Sequence, residues 1–387
     1  MESDPRRPLR RYVRVVTSDV DHPIEGPLLP DYGDACVTGL VPALLEGSHE
    51  PDWLSHDLLA ARRVLLLVLD GLGWNQLQQR RGAAPVLASM EGRSITTVAP
   101  STTAAALTSI STGCPPGEHG VVGYRIAVDG AVLNALRWTT GDGDARRRID
   151  PSTFQPCPAF GGQHPPVVTR AEFAGSGFSR AHLSATRLVG YADRQDMVDR
   201  TVDLLTSGEP FVYAYWDGID RTAHEHGLED RYEEELADCD AMVAAIIDRV
   251  PPGTAVVVTA DHGQVHVGDR ILDLPPEVTS CLDGQSGEAR FRWLHARPGA
   301  AAELHAAAVE AFGDLAWIRT RDEVEAECWL GPRLGPAARS RLGGGALVAR
   351  GQVAFRDPAE VMSIRLIGRH GSLTPDEMLV PAVGVVT

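Results

Sequence analysis

The stretch Val64-Leu-Leu-Leu-Val-Leu-Asp70-Gly-Leu-Gly73 decides the architecture. Its apolar residues run in unbroken succession instead of alternating. That pattern marks a strand buried on both faces, and Asp-Gly ends it in a turn. The design returns twice. Residues 211–216 (Phe-Val-Tyr-Ala-Tyr-Trp) run into Asp217-Gly-Ile-Asp220, and residues 254–260 run into Asp261-His262-Gly263. Helical stretches lie between them. Residues 103–111 are small and apolar. Residues 232–250 carry Leu236, Met242, Val243, Ile246 and Ile247 close to a helical period. Buried strands alternating with helices predict an α/β fold with a mostly parallel central sheet between helices. Ligands of such sheets bind beyond the carboxyl ends of the strands. A lone Asp-Gly is ordinarily a turn, but three acidic strand ends, two with histidine nearby, point to a site.

Two regions interrupt the pattern. Residues 125–190 are rich in Gly, Pro and polar clusters. Residues 264–345 contain a strand-like piece (291–296) and a helix-like piece (300–312), and read as an inserted, smaller α+β cap. The expected organisation is a core of residues 1–263 and 346–387, with a loop-rich insertion at about 125–190 and a cap at 264–345.

The formal net charge of −16 argues against a nucleic-acid groove, which needs a basic footprint. All 36 basic residues other than histidine are arginine, so no Schiff-base or Walker lysine is available. The Arg- and Pro-rich first fourteen residues lack the apolar centre of a signal peptide, and no stretch reaches the roughly 18 apolar residues of a membrane span. A cytoplasmic protein without a membrane partner is therefore expected. Cys36, Cys114, Cys157, Cys239, Cys281 and Cys328 are scattered without a C-x-x-C pair and read as small buried hydrophobes.

The chemistry-bearing residues form two sets. One is Asp70 with Asp261 and His262. The other is Asp220 and His224, four apart and so on one face of a helix, with the distant His370 between glycines. Asp and His are the hard and borderline ligands that suit zinc, with manganese as the alternative. Two such ions about 4 Å apart neutralise phosphoryl oxygens and activate a nucleophile. Pro100-Ser-Thr-Thr103 leads into a helix whose free N–H groups suit an oxyanion. Thr102 and Thr103 are each also plausible helix caps. His119, His226 and His266 stay outside the metal set, and no His-Glu-x-x-His of a zincin occurs.

Taken in order, these blocks resemble the nucleotide pyrophosphatase/phosphodiesterase branch of the alkaline phosphatase superfamily. They are Val64 to Gly71, Pro100-Ser-Thr-Thr-Ala, Ser111-Thr-Gly-Cys-Pro-Pro-Gly-Glu-His-Gly120, Asp220-Arg-Thr-Ala-His224-Glu-His-Gly227, Thr259-Ala-Asp261-His262-Gly263 and Arg369-His370-Gly371-Ser372. The resemblance implies an alkaline-phosphatase-like core and a phosphoric ester hydrolase of phosphodiesterase type. It implies one zinc site at Asp70, Asp261 and His262, and another at Asp220, His224 and His370. The branch's threonine nucleophile lies nine residues before a Thr-Gly pair. That spacing matches Thr103, with Thr102 the runner-up. Thr103 is thereby expected to bridge the metals and carry a phospho-threonine intermediate. The implied substrate is small and phosphorylated, a nucleotide among the candidates. The branch carries an asparagine shortly after the His-Gly; here Tyr124 stands there, followed by Arg125. Tyr124 is expected to donate a hydrogen bond to substrate and Arg125 to clamp a terminal phosphate.

The alternatives within the superfamily are a phosphomonoesterase or a phosphonate hydrolase. A sulfatase fits less well, because Cys114-Pro-Pro-Gly-Glu118 has Glu where that class has Arg. A Ser-dependent mutase and a non-catalytic metal-binding protein rank lower still.

Overall fold

The computed structural model describes residues 26–47, 50–360 and 365–387. The Arg- and Pro-rich start of the chain lies outside the described residues. The elements that position the site are, in chain order, β1 (Arg63–Leu69), β2 (Glu91–Thr96), α1 (Thr103–Thr112), β3 (Pro166–Arg170), β4 (Arg187–Tyr191), α2 (Arg194–Thr206), β5 (Phe211–Trp216), α3 (Gly218–His226), α4 (Asp230–Ile247) and β6 (Thr254–Thr259). Then follow β7 (Leu282–Glu288), β8 (Phe291–Ala296), α5 (Ala301–Phe312), β9 (Ala316–Thr320), β10 (Gly345–Ala349) and β11 (Leu379–Val386).

The three apolar runs become the centre of one sheet of order β2-β11-β6-β1-β5-β3-β4. β1 pairs parallel with β6 and with β5, and only β11 runs antiparallel to its neighbours. Every residue of β5 and β6 is buried, as an unbroken apolar run requires. The register sets Val68 opposite both Thr259 and Tyr215. All three strands therefore finish at one level, and their acidic ends share one edge.

Two regions differ from the sequence expectation. Residues 125–190 are more than loop. They hold a hairpin (Arg125–Val128 with Ala131–Asn134), and they supply β3 and β4 to the central sheet. These strands are short and flanked by proline and polar residues, so their apolar signal is weak. The second sheet, of order β7-β8-β10-β9, also extends past residue 345, because β10 lies at its centre. An apolar run such as β10 carries no mark of which sheet it joins.

Alternation along the strands explains how this second sheet sits. Phe291, Trp293, Ala346 and Val348 point into the main core, and Leu294, Leu347 and Ala349 pack under α5 in a smaller core of their own. The indole N–H of Trp293 donates to the Val122 carbonyl at 3.0 Å, tying the two layers together. Cys36, Cys239 and Cys281 are buried, as read from the sequence; Cys114 and Cys157 are half-buried and Cys328 is exposed. Among the described residues no helix is long and apolar enough to cross a membrane.

Candidate active site

Asp70 follows the last residue of β1. Its N–H is held by the Trp216 carbonyl at 2.9 Å, and its own carbonyl accepts from Asp220 N–H at 3.0 Å. Gly71 must be glycine. Its φ is 79°, and a Cβ there would stand 2.9 Å from the Asp220 Cα. That close approach brings the end of β1 against the start of α3. Ile219 and Ala223 bury one side of α3, leaving Asp220 and His224 on the other. His224 Nε2 lies 3.3 Å from Asp220 Oδ1. Asp261 and His262 follow β6 and are fully buried.

His370 arrives from near the end of the chain, in a loop hydrogen-bonded to the segment before α1. Ser101 N–H donates to the Gly371 carbonyl at 3.2 Å, and the Ser101 hydroxyl donates to the Ser372 carbonyl at 2.5 Å. Behind the loop, Glu377 accepts from Ser372 N–H and forms a fully buried ion pair with Arg290 at 2.7 Å. The His370 ring stacks on His262 with centroids 3.5 Å apart and planes 11° apart.

The three imidazoles share one hydrogen-bond arrangement. Nδ1 of His262 donates to the Gly263 carbonyl at 3.0 Å, Nδ1 of His224 to Gly368 at 2.7 Å, and Nδ1 of His370 to Ser101 at 3.0 Å. Each ring is thereby fixed with its proton on Nδ1, and Nε2 presents a lone pair to the carboxylates. Ligand atoms of Asp220, His224 and His370 lie within 4.8 Å of one another, as do those of Asp70, Asp220 and His262. Asp261 stands beside the second group, its Oδ2 3.4 Å from His262 Nε2.

This arrangement fits divalent cations. Oδ1 of Asp70 and Oδ2 of Asp261 are buried with no hydrogen-bond partner among the described residues. Burial holds the Asp70 carboxyl well above its ordinary range, and the charges of Asp261 and Asp220 push it further. Burial likewise raises Asp220 and Asp261. It lowers His262, and it lowers His370 well below its ordinary value, helped there by His262 and His224. An uncompensated buried charge costs several kcal/mol, and here three carboxylates face three lone pairs. Cations between them remove that penalty.

Thr103 is the first residue of α1, and its hydroxyl donates to His262 Nε2 at 3.1 Å. Thr102 is the N-cap but makes no side-chain cap bond; its hydroxyl instead interacts with Glu288 of the second sheet. The two threonines therefore face different groups, and only Thr103 meets the Asp/His cluster.

A cavity of about 420 Å³ opens beside Thr103, Asp70, Asp220 and His224. Neither Tyr124 nor Arg125, the two residues expected to meet substrate, lines it. Arg125 is buried against Asp357, with Glu360 3.9 Å away, because the hairpin turns its side chain under the second sheet. Tyr124 accepts a hydrogen bond on its hydroxyl from Asn134 at 2.6 Å, and its N–H is held by Glu288 at 2.9 Å. His119 is buried between the Ser109 hydroxyl and Val121 N–H, bracing a turn, and His226 is exposed.

Two contributors escaped the sequence reading. The Tyr215 hydroxyl donates to Asp70, and the Gln264 amide donates to Asp220. Tyr215 looked like one more apolar residue of β5, and Gln264 like the start of a loop.

The type I phosphodiesterase / nucleotide pyrophosphatase family profile matches residues 64–321, two thirds of the chain. The chain belongs to that family. Its members are phosphoester hydrolases that use divalent metals. No curated protein matches the sequence. Several solved structures share the fold. Murine ectonucleotide pyrophosphatase/phosphodiesterase 5 superposes with a TM-score of 0.61 at 17% identity, covering 82% of this chain and 87% of that one. The human counterpart gives 0.62 at 16%, with 83% and 87% covered. Phosphonoacetate hydrolase from Sinorhizobium meliloti 1021, in complex with phosphonoacetate, gives 0.62 at 17%, with 84% and 90% covered.

Proposed function

We propose that the protein hydrolyses a small phosphodiester or pyrophosphate through Thr103, at a site holding two divalent ions, most simply zinc. Asp70, Asp261 and His262 would hold one ion, and Asp220, His224 and His370 the other. When bound, the ions supply positive charge for the phosphoryl oxygens and favour the ionised form of a hydroxyl.

The observation that carries the reading is the place of Thr103, at a helix start, its hydroxyl on His262 and open to the cavity. The unpaired N–H groups of the first helical turn stabilise negative charge on phosphoryl oxygens. Thr103 Oγ1 attacks phosphorus, the bond to the leaving alcohol breaks, and the phospho-threonine is then hydrolysed by water. Tyr215 and Gln264 hold the Asp70 and Asp220 carboxylates in place.

A diester is favoured over a monoester by charge. A terminal phosphate dianion calls for arginine forks, yet among the described residues Arg221 is the one arginine lining the cavity, exposed and 3.5 Å from Asp217. Catalytic efficiency on bis-(4-nitrophenyl) phosphate and on 4-nitrophenyl phosphate, each with wild type and Thr103→Ala, tests the proposal. A Thr103-dependent preference for the diester supports it. A clear monoester preference, or hydrolysis undiminished in Thr103→Ala, counts against it.

A further inference from the structure

The cavity beside Thr103 has walls unlike its catalytic rim. Leu107 projects one helical turn below Thr103. Val167 comes from β3, Phe173 and Phe178 from the segment after it, Leu136 from the turn after the hairpin, and Tyr213 from β5. His182 adds a flat ring that stacks on Phe178 at 4.0 Å and donates from Nδ1 to the Phe178 carbonyl. Burial lowers its pKa to about 4, so it is neutral near pH 7. The carboxylate of Asp217 is already taken by Arg170 at 2.7 Å. Away from the Asp/His cluster's own carboxylates, one buried hydroxyl of the lining is unpartnered. The Tyr213 hydroxyl is buried with no hydrogen-bond partner among the described residues.

Such walls select by what they lack. Among the described residues a polyphosphate chain would find one exposed arginine, no lysine and the carboxylate of Glu225, which faces His226 Nε2 at 3.8 Å. An apolar ring finds leucine, valine and phenylalanine surfaces whose burial is favourable at about 25 cal/mol per Å². Small-molecule sites generally combine such apolar walls with a few polar groups that fix orientation.

We propose that this cavity takes the non-reacting ester group of the substrate, and that this group is an uncharged aromatic or branched apolar alcohol. The Tyr213 hydroxyl is the unpartnered buried donor that would meet a polar substituent on it. The proposal rests on the phosphodiesterase reading for its catalytic consequence, but binding of the free alcohol does not depend on turnover. The substrate class is then an apolar phosphodiester, not a nucleotide bearing further phosphates.

The test uses the full chain and three esters: methyl, 2-naphthyl and thymidine-5′ 4-nitrophenyl phosphate. The expected kcat/KM for the naphthyl ester exceeds that for the methyl ester by roughly tenfold to a hundredfold, the equivalent of burying one aromatic side chain. The thymidine ester gains less. Leu136→Arg, in a half-buried turn position, brings the naphthyl-to-methyl ratio close to one and weakens 2-naphthol binding followed by fluorescence. A hydroxyl-substituted naphthyl ester gains roughly two- to tenfold over the unsubstituted one in wild type, and that gain disappears in Tyr213→Phe. Hydrolysis of all three esters with equal efficiency, or with thymidine favoured, overturns the cavity assignment and leaves the diesterase reading standing. Hydrolysis of none, with 2-naphthol bound by wild type and lost in Leu136→Arg, overturns the diesterase reading and supports the assignment. Absence of 2-naphthol binding overturns the assignment on its own.

Discussion

The Thr103 hydroxyl lies 3.1 Å from Nε2 of His262, residues 159 positions apart in sequence that meet where α1 begins and β6 ends. Thr103→Ala is expected to lower kcat/KM on a diester by about a thousandfold or more, as loss of a covalent nucleophile does. Thr102→Ala should act mildly on turnover, because its hydroxyl faces Glu288 and not the cluster. The N-cap makes no side-chain cap bond, so stability should fall by less than about 1 kcal/mol. Steady-state kinetics with thermal unfolding of both variants checks this. A dead Thr102→Ala beside an active Thr103→Ala would move the nucleophile by one residue.

Arg125 is expected to be a structural cation. Its side chain is 10% exposed and its partner Asp357 5%. Breaking a buried pair from one side costs about 3–5 kcal/mol. Arg125→Ala should therefore lower the unfolding free energy by that order while leaving the diester-to-monoester ratio unchanged. A shifted ratio at unchanged stability would return Arg125 to the substrate.

Much of this cluster is legible in the sequence because its carboxylates terminate unbroken apolar runs. Asp70 and Asp261 each follow a buried strand, and Asp220 and His224 share a helical face. What escaped depends on register. Tyr215 reaches Asp70 because β5 lies beside β1 with Tyr215 opposite Val68, a pairing that no local pattern encodes. The place of Arg125 depends on long-range packing in the same way. Arg125 follows the position where the family carries an asparagine, but its side chain pairs with Asp357, 232 positions away. The strand β4 escaped because an edge strand tolerates the polar residues that also mark loops, and β3 because it opens on Pro166, a residue allowed at the first position of a strand.

Glu288 gives a pH prediction. Burial lifts its carboxyl from 4.5 to about 8, against the Tyr124 N–H that lowers it. Below about 4.5 both states hold the proton and this contribution is fully present. Between about 4.5 and 8 the folded chain keeps a proton that the unfolded chain releases, so stability falls as pH rises. The slope from this group is at most about 1.4 kcal/mol per pH unit. Glu288→Gln should remove it. Unfolding of both proteins from pH 5 to 8 is the check, and parallel curves would mean that Glu288 is ionised in the fold.

Metal content tests the central claim most directly. The Asp70, Asp220, Asp261, His224, His262 and His370 cluster has cation-facing lone pairs, and Oδ1 of Asp70 and Oδ2 of Asp261 have no hydrogen-bond partner among the described residues. Elemental analysis of the purified protein, followed by chelation and add-back, should find about two divalent ions per chain. Diester hydrolysis should vanish on their removal and return with zinc or manganese. A protein that hydrolyses the diester at full rate with no divalent ion bound would contradict the account.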